Sequence, residues 1–237
     1  AYEGWLGGGW TGAVWSTALI ILFFGCVVLH ELGHSLTARR YGVNVPRILL
    51  MPIGGMAEFD RIPRQPSAEL LITLAGPAVN FVLAAALAVG FWREAFTEIP
   101  VREHSLVDLG TQLLWANLIM GTFNLLPVFP MDGGRIFRAL LALKLDYLRA
   151  TWWAARVGKV LALLLAAGAL YFGYYLLGAL FTFIFFAGDA EYRILLRREQ
   201  EAAYWAEWAR RAAPVVEYPP AAKPDDEPPP IVYHGRN

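Results

Sequence analysis

Two histidines and a glutamate fall within five consecutive residues near the beginning of the chain. The segment reads His30-Glu31-Leu32-Gly33-His34. Residues four apart share one face of an α-helix, so His30 and His34 can bind one zinc ion between them, with Glu31 beside them as a general base for water. The alternative interpretation is a structural His-Glu-His cluster that faces a polar cavity. The spacing favours the zinc site.

The motif lies in a segment that is apolar enough to cross a membrane. Hydrophobic residues make up 57% of the 237 residues and charged residues only 17%, which is a composition typical of membrane proteins. Residues 13–36 contain no charged side chain and no histidine before His30. Ionisable side chains inside a span are costly unless they are paired or bound to a metal. Three of them in five positions therefore indicate a metal site at the C-terminal end of this span.

The hydropathy pattern predicts an all-α polytopic membrane protein with about five to six transmembrane helices and a short re-entrant strand or hairpin. The predicted spans are residues 13–36, 70–92 and 106–126, followed by two closely spaced helices within 157–188 that are broken near Gly173 or Gly178. Residues 43–57 are also apolar, but Pro46, Pro52 and a Gly-Gly pair are unsuited to a spanning helix. We expect the strand or hairpin there.

The distribution of basic residues orients the predicted helices. Basic side chains follow the first, third and last of them, among them Arg39, Arg40, Arg135, Arg138, Arg149, Arg156, Arg193 and Arg197. Short loops rich in Lys and Arg prefer the cytoplasmic side, so the motif should lie near that side and residue 1 outside. We divide the chain into a transmembrane core that carries the zinc motif, residues 1–198, and a cytoplasmic tail, residues 199–237. The tail is first amphipathic and then Pro-rich, and we expect it to be partly disordered.

A catalytic zinc ion has three protein ligands and one position for water, so a third ligand must come from another part of the chain. Asp132 follows a Pro-rich break at the cytoplasmic end of the third predicted helix, which brings it to the depth of the two histidines. Glu58 and Asp60 lie on the correct side but on no supporting helix, and they rank second. His104 falls in the external loop and His234 in the tail, so neither can reach the site. A plain Pro-Gly loop without a metal is the alternative interpretation of the Asp132 segment.

Three motifs together resemble the site-2 protease family of intramembrane metalloproteases. They are H-E-L-G-H at residues 30–34, A-G-P-A-V-N at residues 75–80 and N-L-L-P-V-F-P-M-D-G at residues 124–133. The resemblance implies cleavage of membrane-tethered regulators, such as transcription factors, sigma-factor precursors or anti-sigma factors, within or beside their own transmembrane helices. It also implies six core helices, and we expect the first of these to be largely absent or truncated here.

Two asparagines are candidate substrate or oxyanion ligands. Asn80 lies in the middle of an apolar span, where its amide is costly unless it forms hydrogen bonds. The resemblance puts it near the metal, where it would help to hold the oxyanion, and a role in helix packing is the alternative. Asn124 is expected either to contact substrate or to cap the broken third helix.

The sequence therefore predicts an intramembrane zinc metalloprotease with one Zn²⁺ per chain, held by His30, His34 and Asp132, and with Glu31 as the catalytic residue. Its expected partners are the lipid bilayer and a single-pass membrane protein as substrate. Because 20 basic residues balance 20 acidic ones, no charge excess indicates nucleic acid. Three alternatives stay open: a membrane zincin with a glutamate as third ligand, a metal transporter or storage protein, and a catalytically inactive metal-binding scaffold.

Overall fold

The structure is a computed structural model that describes residues 2–45, 47–51, 54–58, 65–96 and 105–212. Within these residues the chain forms seven helices and one two-stranded sheet. In chain order the elements are α1 (Tyr2–Arg40), β1 (Arg47–Met51), β2 (Gly54–Glu58), α2 (Pro66–Phe96), α3 (Leu106–Asn124), α4 (Asp132–Ala142), α5 (Tyr147–Tyr171), α6 (Tyr175–Ala187) and α7 (Ala190–Ala212). The predicted helical fold is confirmed.

Three of the described helices are long and apolar enough to cross a membrane. They are Gly8–Arg40 within α1, Pro66–Phe91 within α2 and Tyr147–Tyr171, which is α5. Large apolar side chains are exposed along them, among them Ile21, Val82, Val89 and Leu164, as expected for surfaces that face lipid. Helix α3 has 19 residues but carries polar side chains, and α6 has 13 residues. The chain is thus an integral membrane protein, and the total of five to six spans stays a prediction.

The helices after residue 126 differ from the prediction in two places. Helix α4 was not predicted, and α5 begins at Tyr147 rather than near residue 157. The side chain of Asp146 accepts a hydrogen bond from the backbone N–H of Arg149, which starts α5 early. The predicted break before α6 does occur, because Gly173 has a φ of 80° that favours glycine.

Helix α2 lies at the centre of the packing and contacts α1, α3 and α4, while α5 contacts α4 and α6. Small buried residues on α5, including Ala154, Ala155 and Ala162, allow close approach of its neighbours. A Cβ atom on Gly158 of α5 would lie 3.1 Å from Cα of Val128, in the loop between α3 and α4. Helix α5 therefore supports the loop that leads into Asp132.

A β-hairpin follows α1 in the region where the sequence predicted a strand or hairpin. Its two strands are antiparallel, with Arg47 opposite Glu58 and Met51 opposite Gly54. Strand β2 lies beside α1. Whether the hairpin enters the bilayer stays a prediction.

The chain divides into two compact units, Ala1–Leu196 and Arg197–Asn237. The described part of the second unit is helical, and its side chains from residue 201 to residue 211 are exposed. The predicted Pro-rich part of the tail lies outside the described residues.

Candidate metal centre

Helix α1 buries the three ionisable residues of its motif. His30, Glu31 and His34 expose 4%, 9% and 7% of their surface. The two imidazole rings lie one helical turn apart and meet edge to face, with 4.7 Å between their centroids. The histidines therefore point into the helical packing rather than toward lipid.

Asp132, the first residue of α4, completes a triangle of potential ligand atoms. Its Oδ2 atom lies 3.3 Å from Nε2 of His30 and 3.2 Å from Nε2 of His34. The two Nε2 atoms are 3.1 Å apart. Ligands at bond lengths of about 2.0–2.2 Å around tetrahedral zinc lie roughly 3.3–3.5 Å from one another, so the three atoms have nearly the separation that zinc requires. In the described part of the chain, this is the one group of His, Cys, Asp and Glu side chains placed to share an ion.

The outer nitrogen of each imidazole is held by an oxygen acceptor. Nδ1 of His30 donates to Oδ1 of Asn80 at 2.6 Å, and Nδ1 of His34 donates to the backbone carbonyl of Ile72 at 2.8 Å. Because the Nδ1 atoms carry the protons, both Nε2 atoms of the neutral rings present lone pairs to Asp132. Such outer contacts fix the orientation of histidines that bind metals.

The electrostatics of this triangle fit a bound cation. No described residue donates a hydrogen bond to the buried Oδ2 atom of Asp132. One carboxylate oxygen and two imidazole lone pairs converge on one point, and this donor set is one that catalytic zinc uses.

Two glycines bring α1 and α2 close enough to build the site. A Cβ atom on Gly33 would lie 2.7 Å from the carbonyl oxygen of Ala75. A Cβ atom on Gly76 would overlap the imidazole ring of His34 and lie 2.8 Å from Nε2 of His30. The backbone of α2 therefore forms one wall of the metal centre.

A chain of amides extends from His30 to the third helix. Asn80 and Asn117 are fully buried, and Nδ2 of Asn80 donates to Oδ1 of Asn117 at 2.9 Å. Nδ2 of Asn117 in turn donates to the carbonyl of Leu113 and contacts Sγ of Cys26 at 3.3 Å. Both ends of the Asn80 amide are thus engaged in side-chain hydrogen bonds.

The remaining candidates from the sequence are not among the three potential ligands. Asn124 is the last residue of α3, and its Nδ2 donates to the carbonyl of Met120 at 3.0 Å. The side chain of Glu58 is outside the described part of the chain, as are Asp60, His104 and His234.

Comparison with known protein families gives a match to the model of Peptidase family M50, over residues 18–98 and 94–165. The chain belongs to peptidase family M50. The match includes all three residues of the triangle. It confirms the family resemblance that the three sequence motifs predicted.

The relatives of this M50 chain are named as zinc metalloproteases. Zinc metalloprotease MJ0392 of Methanocaldococcus jannaschii is 42% identical over 183 residues, which are 77% of this chain and 52% of that protein. Putative zinc metalloprotease Rip3 of Mycobacterium tuberculosis is 38% identical over 149 residues, which are 62% of this chain and 37% of that protein. The chain thus spans about half the length of the first relative and less of the second.

The fold of the M50 chain is similar to a solved structure, the site-2 protease from Methanocaldococcus jannaschii. The TM-score is 0.57 and the sequence identity 38%, over 77% of this chain and 88% of that chain. The helical architecture of the M50 chain is therefore that of a site-2 protease.

Asn117, Ile72 and Gly76 are parts of the metal centre of this M50 chain that the sequence did not single out. A signal existed for Asn117, because a buried amide within an apolar helix needs a hydrogen-bond partner. The contact through Ile72 uses only its backbone, which no side-chain pattern can reveal. Gly76 was noted only as part of a motif.

Replacing Gly76 by Ala should weaken zinc binding by the M50 chain at least about tenfold, because the new methyl group displaces both imidazoles. Competition with a chromophoric chelator measures the change. Gly25→Ala is a matched control, since its Cβ atom meets nothing within 4 Å, and it should bind zinc like the parent. Parental affinity in Gly76→Ala would show that α2 does not form this wall.

Proposed function

We propose that this chain is an intramembrane zinc metalloprotease that hydrolyses peptide bonds within or next to the transmembrane segments of membrane-tethered regulatory proteins. One observation carries the proposal: two imidazole nitrogens and a carboxylate oxygen converge within 3.3 Å of one another, and the buried Glu31 follows one of the two histidines in the same helix. The names of the relatives support the same chemistry.

His30, His34 and Asp132 would hold one Zn²⁺ per chain. When bound, zinc acts as a Lewis acid that makes water more acidic and polarises a peptide carbonyl. Three protein ligands leave room for water in a tetrahedral arrangement. Asn80 keeps His30 in the required orientation through its 2.6 Å hydrogen bond. Because the amide nitrogen of Asn80 already donates to Asn117, orientation of His30 is a better supported role than binding of the oxyanion.

Glu31 is the proposed general base and acid. It immediately follows His30 on α1 and is buried. Its carboxylate takes a proton from the attacking water and then delivers that proton to the leaving amine. A carboxylate that is not a metal ligand is suited to this shuttle, because its protonation does not displace the metal.

A helical substrate must unwind before it can be cut, because its carbonyl groups are held in internal hydrogen bonds. The β1–β2 hairpin supplies a place for the extended segment. In the described region the sheet has two strands, so each strand has one edge without a strand partner. We propose that an extended substrate segment adds to such an edge through backbone hydrogen bonds.

Asn124, half-buried at the end of α3, is the proposed contact for a substrate that approaches Asp132.

The distribution of basic residues supports a cytoplasmic location for the metal centre and for residues 199–237. Arg39 and Arg40 end α1 just after the histidines, and Arg135 follows Asp132 on α4. We propose about five to six crossings of the bilayer, of which the three long helices in the described part of the chain supply three. The membrane core then comprises residues 1–198.

Removal of zinc tests the proposed activity. The chain, reconstituted in liposomes with a single-pass membrane protein, should cleave that protein. Cleavage should fall to background after treatment with 1,10-phenanthroline and return when zinc is added. The isomer 1,7-phenanthroline, which cannot chelate, is the control. Cleavage that persists in a sample shown by metal analysis to be free of zinc would refute a zinc mechanism.

A further inference from the structure

A buried arginine joins α4 to two other helices. Arg138 exposes 1% of its surface, and its Nε donates to Oε1 of Glu69 on α2 at 2.8 Å. Its Nη2 donates to the same oxygen, and its Nη1 donates to Oε1 of Glu191 on α7 at 2.9 Å. Glu69 also accepts a hydrogen bond of 3.3 Å from the hydroxyl of Tyr147. One guanidinium group therefore holds α4 against α2 and α7.

The same guanidinium contacts the loop that precedes Asp132. Its central carbon lies 5.4 Å from the centre of the Phe129 ring and 5.0 Å from that of Tyr147, within the range of cation–π contacts. Phe129 is buried, and a Cβ atom on Gly134 would lie only 2.7 Å from its backbone nitrogen. Arg138 thus contacts the loop that leads into Asp132. It also belongs to α4, the helix whose first residue is Asp132.

The other end of the ion pair lies on the helix that positions the histidines. Glu69 precedes Ile72 by three residues, and the carbonyl of Ile72 fixes His34. Two helical turns after Glu69, Gly76 forms the wall against both imidazoles. The Arg138–Glu69 pair therefore connects the element that carries Asp132 to the helix that orients His30 and His34.

Helix α4 needs such a connection. It has 11 residues and is not among the spanning helices, so lipid does not fix its depth. A metal centre functions only when its ligands are held within about 0.5 Å of the required geometry. Buried charges are costly compared with apolar side chains of similar size, so a buried arginine that serves only for stability has no advantage over a methionine.

We propose that Arg138, paired with Glu69, is a positioning residue that sets the distance of Asp132 from the two histidines and thereby the zinc affinity of the centre. The inference rests on the proposed metal centre. Arg138 touches no ligand, so it acts through the loop at Phe129 and through α4.

Two variants separate positioning from stability. Arg138→Met leaves Glu69 buried without its cation, so it should lower the unfolding temperature of the zinc-free protein in detergent and raise the Kd for zinc about tenfold or more. Glu69→Gln combined with Arg138→Met removes the two fully buried charges, while Glu191, whose side chain is 25% exposed, can still be hydrated. The unfolding temperature should therefore return toward the parental value. The Kd for zinc should nevertheless stay raised, because the specific contact between α2 and α4 is still missing.

Lys159→Met is the matched control for loss of an ion pair. Lys159 on α5 bonds to Asp189 at 2.7 Å and lies over the ring of Phe185. Its loss should leave the Kd for zinc unchanged, whatever its effect on unfolding. The affinities are measured by competition with a chromophoric chelator, with zinc itself as the probe.

Three results would overturn the inference. Parental zinc affinity in Arg138→Met, or recovery of both stability and affinity in the double variant, would reduce Arg138 to a stabilising residue and leave the proposed function intact. Failure of the parent itself to bind zinc would overturn the proposed metal centre together with this inference.

Discussion

Glu31→Gln should reduce peptide-bond cleavage by about 10²- to 10⁴-fold while zinc remains bound, because the substitution removes a proton acceptor but no metal ligand. Gln has the size of Glu, so packing at this buried position is preserved. Cleavage of a reconstituted single-pass membrane protein measures the activity, and metal analysis of the purified variant measures zinc content.

Glu207→Gln is the control for this substitution, since Glu207 is an exposed residue on α7, and it should cleave like the parent. Loss of zinc from Glu31→Gln would contradict the assigned role and make Glu31 a ligand. The same experiment separates the proposed protease from two alternatives. A metal transporter or storage protein, or an inactive scaffold, has no cleavage that depends on Glu31.

Asp132→Asn should weaken zinc binding by more than about a hundredfold. Loss of a group that only orients a ligand costs about 10- to 100-fold in metal affinity, and this change removes the charge of a ligand itself. The two neutral imidazoles would then face a divalent ion with a weak amide as the third donor. Competition with a chelator measures the affinity, and one zinc per chain is expected in the parent.

Glu58→Gln distinguishes Asp132 from the second-ranked ligand. It should leave zinc content nearly unchanged, because the two histidines and Asp132 already form a complete set of three. If Asp132→Asn kept its full zinc content and Glu58→Gln lost its zinc, the protein would instead be a zincin with a glutamate as third ligand.

The sequence predicted the family and the two histidines of the candidate centre because both depend on short-range patterns. The spacing of His30 and His34 fixes one helical face without any knowledge of the fold. Asp132 required an argument over a longer distance, in which basic loops set the helix directions and thereby the depth of each segment. The structure brings these three residues together.

The supporting contacts could not be predicted in this way. Arg138 was counted among the basic residues of a cytoplasmic loop, yet it is buried on a helix. Its partner Glu69 lies on a different helix, and nothing local in either segment encodes their pairing. Helix α4 was missed because it is short and has little apolar length. The early start of α5 was predictable in principle, since Asp146 is a typical N-cap residue.

The distribution of the candidate ligands over α1 and α4 has a mechanical consequence. Since about a hundred residues of chain separate His34 from Asp132, an ion held by both would cross-link the fold much as a disulfide does. The metal-free protein would lose this constraint, and three electron-rich atoms would then repel one another at the junction of the two helices. Prolonged treatment with a chelator would therefore loosen the protein as well as inactivate it, and zinc would restore activity only to molecules that had kept α4 in place.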